Sequence, residues 1–260
     1  MTGKLRLVFH NLPLVEAAVR ASFNAPKPLT YSLVNSIARE LSPSFPKVDE
    51  PKQLEVAPGA GETQFAFGPG CLPGAVYTGQ KDGLFVSVQP QVIVARWVKH
   101  PSLQNPAYPR FPALRGALWS AVEAFRKGCG DDYPGISVVN MSYVNFVASS
   151  DPAGFLKTYF SSEAQLRAMN NARQVRKLEA GWSESNDLDV RFAVEQAAAK
   201  GPDGATQGFR LTTAAGLRLG ESVDAKSGLE TVHDTLQEFF LRLISKEARR
   251  EWQLQEPVNA

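Results

Sequence analysis

Three histidines, two cysteines and a few polar pairs are the residues of this 260-residue chain that could do chemistry. His10 and His100 lie in irregular segments, and neither has a carboxylate or a second histidine at ligand spacing. His233 edges the apolar face of a strongly periodic helix, within Leu229-Glu230-Thr231-Val232-His233-Asp234. A neutral imidazole there can donate to a carbonyl or carboxylate and fix the helix on its neighbours. Cys71 and Cys129 share no C-x-x-C spacing, and a zinc site needs about four nitrogen or sulfur ligands. They read as free thiols in a reducing compartment. Asp131-Asp132, ahead of Tyr133-Pro134-Gly135, reads as a solvated turn.

The remaining chemical templates are not met. A serine nucleophile needs a G-x-S-x-G elbow or a base beside it, and neither occurs. Gly59-Ala60-Gly61 and Gly68-Pro69-Gly70 open no helix behind a strand, so they are turns and not phosphate loops. No catalytic constellation, no metal site and no cofactor motif is therefore expected.

Binding chemistry has better candidates. Tyr143 and Asn145 fall on one face of a strand, with Val139 and Met141 further back, where they line a groove or sit in the core. Arg173 and Arg176, with Arg167 and Lys177, give a basic surface able to contact phosphate. A second basic set is Arg242, Lys246, Arg249 and Arg250. Glu163, Glu179, Glu238, Glu247 and Glu251 interleave with both sets, the pattern of a mixed solvated helix face.

These residues must be positioned by the elements around them. Leu14–Phe23, bounded by Pro13 and Pro26, reads as a strand. Val34, Ile37, Ala38 and Leu41 recur at helical spacing behind Thr30, a candidate N-cap. Residues 46–62 read as an exposed loop. Strands follow at 64–67, 74–78, 84–88 and 92–98, with turns at Lys81-Asp82-Gly83 and at Pro90. Leu114, Ala117, Leu118, Ala121, Val122 and Phe125 mark an amphipathic helix, with Gly128 at the expected C-cap. Residues 136–147 read as a long strand and 151–180 as mostly helical. Leu188, Val190, Phe192 and Val194 alternate with polar residues in a half-buried strand. Phe209–Leu219 is a strand interrupted at Gly216. Val232, Leu236, Phe239, Phe240, Leu243 and Ile244 form a final amphipathic helix that docks on the core.

Strands in runs with helices between the runs argue for an α+β fold, with largely antiparallel sheets covered by helices. One domain over 1–260 is expected, with 1–130 and 131–260 as its two pseudo-similar halves. At 43% hydrophobic and 21% charged the chain can bury a core unaided. A net charge of +2 is too small to mark a dedicated nucleic-acid domain, although clustering can still make one basic face. No stretch approaches the ~18 apolar residues of a membrane helix. No signal-peptide pattern opens the chain, so no membrane role and a cytoplasmic location are expected.

Several segments taken together resemble one family. Asn11-Leu12-Pro13-Leu14-Val15-Glu16 is similar to an N-P-P-L-V-E start. Val86-Ser87-Val88 through Val94-Ala95-Arg96-Trp97 is similar to a hairpin ending in tryptophan. Tyr108-Pro109-Arg110-Phe111 resembles Y-P-x-[YF] before the middle helix. Ser142-Tyr143-Val144-Asn145 resembles an R-Y-[IV]-N strand, with serine where the pattern more often has arginine. Leu229 to Asp234, followed by Phe239 and Phe240, resembles an L-[DE]-x-x-H-[DE]…F helix. In order and spacing, from about residue 11 to 252, these are similar to a sporadically distributed bacterial family to which no activity is assigned. The resemblance implies the fold and a setting among mobile or defence-associated genes, and carries no mechanism.

The expected function is a non-catalytic interaction or regulatory protein acting with a protein partner. The alternatives are a nucleic-acid-binding accessory subunit of an RNA- or DNA-targeting complex and, ranked last, an unrecognised hydrolase or nuclease.

Overall fold

In the computed structural model, which describes residues 8–9, 12–49, 71–79, 83–99, 108–161, 177–185, 187–201, 204–220 and 223–255, local sequence and long-range pairing together set the elements. In chain order these begin with β1 (Val8–Phe9), β2 (Leu14–Phe23), β3 (Leu29–Thr30), α1 (Tyr31–Leu41) and β4 (Lys47–Asp49). Next come β5 (Cys71–Leu72), β6 (Ala75–Thr78), β7 (Leu84–Gln89), β8 (Val92–Val98) and α2 (Arg110–Cys129). A 3₁₀ turn (Gly130–Asp132), β9 (Ile136–Ala148) and α3 (Pro152–Tyr159) follow. The chain continues through β10 (Lys177–Ser183), β11 (Leu188–Gly201), β12 (Gly204–Arg218), α4 (Ala225–Leu243), α5 (Lys246–Glu251) and β13 (Leu254–Gln255).

Among the described residues nine strands form one antiparallel sheet in the order β10-β11-β12-β9-β2-β8-β7-β6-β4, and the α+β class holds. Two small pairs, β1 with β13 and β3 with β5, stand apart from it. The chain divides into two compact units. The first comprises Met1–Val15, Met141–Leu217 and Lys226–Ala260; the second comprises Glu16–Asn140 and Arg218–Ala225. Both boundaries near the middle of the sheet fall inside strands, in β2 and β9.

In the second unit, alternation along β2 sends Ala17, Val19, Ala21 and Phe23 to one face. The ladder sets Ala17 opposite Trp97, Val19 opposite Ala95 and Ala21 opposite Ile93. β7 and β6 extend the same face through Val86, Val88, Tyr77 and Ala75. Helices α1 and α2 cover it. Phe125 of α2 stacks on Phe23 at 4.8 Å, and the Tyr77 hydroxyl donates to the Val34 carbonyl of α1 at 3.1 Å. Trp97, Phe125, Ile37, Ile93, Leu114 and Leu118 are fully buried there, each contributing about 1.5–3 kcal/mol of transfer free energy. As expected, Thr30 caps α1, its Oγ1 accepting from the Leu33 N–H at 3.3 Å.

The expected C-cap at Gly128 is corrected: α2 runs through it to Cys129, and Gly130, at φ 58°, takes the cap. Gly128 serves close packing, because a Cβ there would sit 2.5 Å from the Leu33 Cδ1. The segment 46–62, read as a loop, contributes β4, which pairs with β6 as Lys47 to Thr78, Val48 to Tyr77 and Asp49 to Val76. The expected strand at 64–67 lies outside the described residues.

In the first unit the reading of 151–180 as helical is corrected at its end. After α3, the chain at Lys177–Ser183 is strand β10, paired with β11 from Lys177–Glu195 to Ser183–Asp189. Non-local pairing decides here over local propensity. β12 is not broken at Gly216, which pairs with Asp189 inside an unbroken ladder. The inward face carries Val190, Phe192 and Val194 of β11 beside Phe209, Leu211, Thr213 and Ala215 of β12. α3 and α4 cover it. Phe155 stacks on Phe209 at 4.3 Å, Phe160 meets Phe192 at 5.5 Å, and Phe239 of α4 meets Trp182 at 5.2 Å. Among the described residues no helix is long and apolar enough to cross a membrane.

Candidate functional site

Tyr143 and Asn145 lie on the same face of β9, as the strand period requires. The Ser149 N–H donates to the Gln207 carbonyl at 3.3 Å, closing the β9–β12 ladder at that end. Counting back along the antiparallel pair sets Asn145 across from Leu211 and Tyr143 across from Thr213. Asn145 and Thr213 are completely buried, and among the described residues neither the Asn145 amide nor the Thr213 hydroxyl has a hydrogen-bond partner. Tyr143 is half-buried. Asn145 and Thr213 thus form a polar inclusion in an otherwise aliphatic and aromatic face. Such groups are costly to bury unpaired, at roughly 1–3 kcal/mol each.

His233 belongs to the buried stripe of α4, with Leu229, Val232, Leu236, Phe239 and Phe240. Its Nδ1 lies 3.1 Å from Asp234 Oδ1, and its Nε2 lies 2.6 Å from the Gln237 side-chain nitrogen. A carboxylate can only accept from the ring and an amide NH₂ can only donate to it. The pattern therefore assigns the proton to Nδ1, donating to Asp234, with Nε2 accepting from Gln237. Both ring nitrogens are engaged by residues of the same helix.

Arg173 and Arg176 lie outside the described residues. In the second basic set, Arg242 faces Glu184 at 3.6 Å, and the Arg249 guanidinium donates to the Leu241 carbonyl. Glu251 of the same short helix accepts from the Tyr159 hydroxyl at 2.9 Å. Elsewhere the same theme recurs: Arg126 pairs with Glu123 and Lys127 with Glu40, both at 2.9 Å.

The second unit contains a charged patch that the sequence reading missed. The even residues of β2, Glu16, Ala18, Arg20 and Ser22, face away from α1 and α2. Across the ladder Ala18 opposes Arg96 and Arg20 opposes Val94, so the small Ala18 leaves Arg96 diagonal to both Glu16 and Arg20. Arg96 Nε lies 3.2 Å from Glu16 Oε1. Burial holds both guanidiniums below their usual value, and Glu16 opposes that shift in each. Charges on alternate positions of an apolar strand were the available signal. Glu16 and Arg96 even lie within the motifs quoted for the family resemblance.

The thiols are unbridged. Burial pushes the Cys129 thiol above its ordinary value, Lys27 opposes this and Asp132 reinforces it, so it stays protonated and weakly nucleophilic. Among the described residues no three of His, Cys, Asp and Glu converge as a metal-binding group.

No protein-family model matches the chain, and no curated protein matches it significantly.

Proposed function

We propose that this is a non-catalytic interaction protein that acts with a protein partner in the cytoplasm. The observation that carries the reading is His233. Its two ring nitrogens bond Asp234 and Gln237 on its own helix, and the ring itself is buried in the apolar stripe that packs that helix on the core. A general base must instead present a free nitrogen to the group it deprotonates. Two further observations support the same reading. Arg242, Arg249, Arg126 and Lys127 each bond a carboxylate or carbonyl, which lowers their value as phosphate contacts. Cys71 and Cys129 are free thiols, which suits a reducing compartment.

The test is affinity purification of the tagged chain from its native host, followed by quantitative mass spectrometry of wild type and His233→Ala side by side. The expected result is a protein recovered in fixed stoichiometry with both. Stoichiometric recovery of nucleic acid in place of protein would favour the alternative. A His233→Ala variant that keeps its stability and loses the biological activity of the wild type would move His233 into a site.

A further inference from the structure

Among the described residues β4 is the outermost strand of the nine-stranded sheet, and all three of its residues are exposed. A strand edge presents unpaired backbone N–H and C=O groups, a template for another strand. Val48, at its centre, is 44% exposed, one of three large apolar side chains so exposed among the described residues. It borders an open groove of about 450 Å³, with Asn35, Ala38 and Arg39 of α1 on the far side and Pro46 at one end. The flanking residues are Lys47 and Asp49, one of each sign. Among the described residues neither takes part in an ion pair or side-chain hydrogen bond.

The order Lys-Val-Asp is self-complementary. Laid antiparallel against a copy of itself about a two-fold axis at Val48, the strand puts Lys47 opposite Asp49 of the copy, Asp49 opposite Lys47, and Val48 opposite Val48. Opposite charges directly across an antiparallel pair stabilise it, and like charges there destabilise it. An axis normal to the sheet keeps the faces in common, so the groove beside one Val48 continues into the groove beside the other. This is the isologous contact that closes a two-fold dimer. We infer that β4 is a homodimerisation edge, and that its occupant is the β4 strand of a second copy of this chain. The inference is independent of the protein partner proposed above.

The test is the mass of the full chain in solution, by light scattering behind size exclusion and by native mass spectrometry, over a concentration series. The chain weighs 28.3 kDa, and twice that mass is expected at the upper concentrations. Lys47→Asp alone, or Asp49→Lys alone, sets two like-charge pairs across the axis and should weaken the dimer roughly tenfold or more. The double exchange Lys47→Asp with Asp49→Lys restores complementarity and should return the dimer to within a few-fold of wild type. Circular dichroism confirms that each variant is folded. A wild type that is monomeric at every concentration overturns the inference. So do single reversals that leave the dimer unchanged, or a folded double exchange that stays monomeric.

Discussion

The Trp182 indole and the Phe239 ring lie 5.2 Å apart with their planes at 57°, and this contact locks α4 to the strand at the far edge of the first unit from β9. Phe239 is 8% exposed, and its neighbours Val232, Leu236, Phe240 and Leu243 are buried with it. Phe239→Ala should cost about 3–5 kcal/mol, the range for removing a buried phenylalanine. Ending the chain before Gly228 removes the whole stripe and should leave no cooperative unfolding transition by calorimetry or denaturant titration, since the loss exceeds a typical stability of about 5–15 kcal/mol. A soluble truncation that melts cooperatively would show that α4 is dispensable.

His233→Ala removes both bonds of the imidazole at once. The expected loss is about 1 kcal/mol per bond, hence a melting temperature lower by a few degrees. His233→Gln keeps a donor and an acceptor and should recover part of it. Differential scanning fluorimetry of the two variants distinguishes this from a role in proton transfer, which glutamine cannot supply.

Thr213 makes an opposite prediction. Its hydroxyl is fully buried and has no partner among the described residues, and valine has nearly the same shape without the polar atom. Thr213→Val should therefore stabilise the protein, by about 1 kcal/mol, seen as a higher denaturant midpoint with an unchanged slope. A lower midpoint would mean that the hydroxyl has a partner in solution.

Alkaline stability follows from Tyr77, whose hydroxyl burial pushes up, and from two more tyrosines. Burial, chiefly, pushes Tyr133 and Tyr159 up from 10.0 to about 12, and for Tyr159 the bond to Glu251 adds to the effect. The folded state therefore holds the proton where the unfolded state has released it. This contribution is intact below pH 10.0 and is lost as pH rises through about 12. Tyrosinate absorbance should show these two hydroxyls titrating late, and the denaturant midpoint should fall across that interval. Tyr159→Phe should make the fall shallower.

Much of the architecture was legible because it is written in local periods. Pro13 and Pro26 delimit β2, Thr30 caps α1, and the spacing from Leu114 to Phe125 gives α2. What failed was decided by distant partners. Lys47–Asp49 is too short to show a period and becomes a strand only through Thr78, Tyr77 and Val76. Lys177–Ser183 takes the β form from its ladder with β11, and Gly128 is glycine because Leu33 crosses it. The candidate site was legible to a similar depth. That Tyr143 and Asn145 share a face follows from alternation alone, and the buried edge of α4 at His233 follows from its stripe. The partners of His233, the isolation of Asn145 and Thr213, and the Glu16–Arg20–Arg96 patch depend on strand register and helix placement, which no single-chain pattern encodes.

β1 and β13 pair Val8 with Gln255 and Phe9 with Leu254. During synthesis the first of these strands leaves the ribosome long before its partner exists. The second unit, drawn mostly from the uninterrupted run Glu16–Asn140, can form well before that moment. The first unit must hold its opening residues in waiting until the helices and strands after Met141 have arrived. Closing so wide a loop comes late and is slow, since the ordering entropy precedes the contacts that reward it. Assembly is therefore ordered in time by the ribosome, with the inner stretch of the chain settling before the outer one.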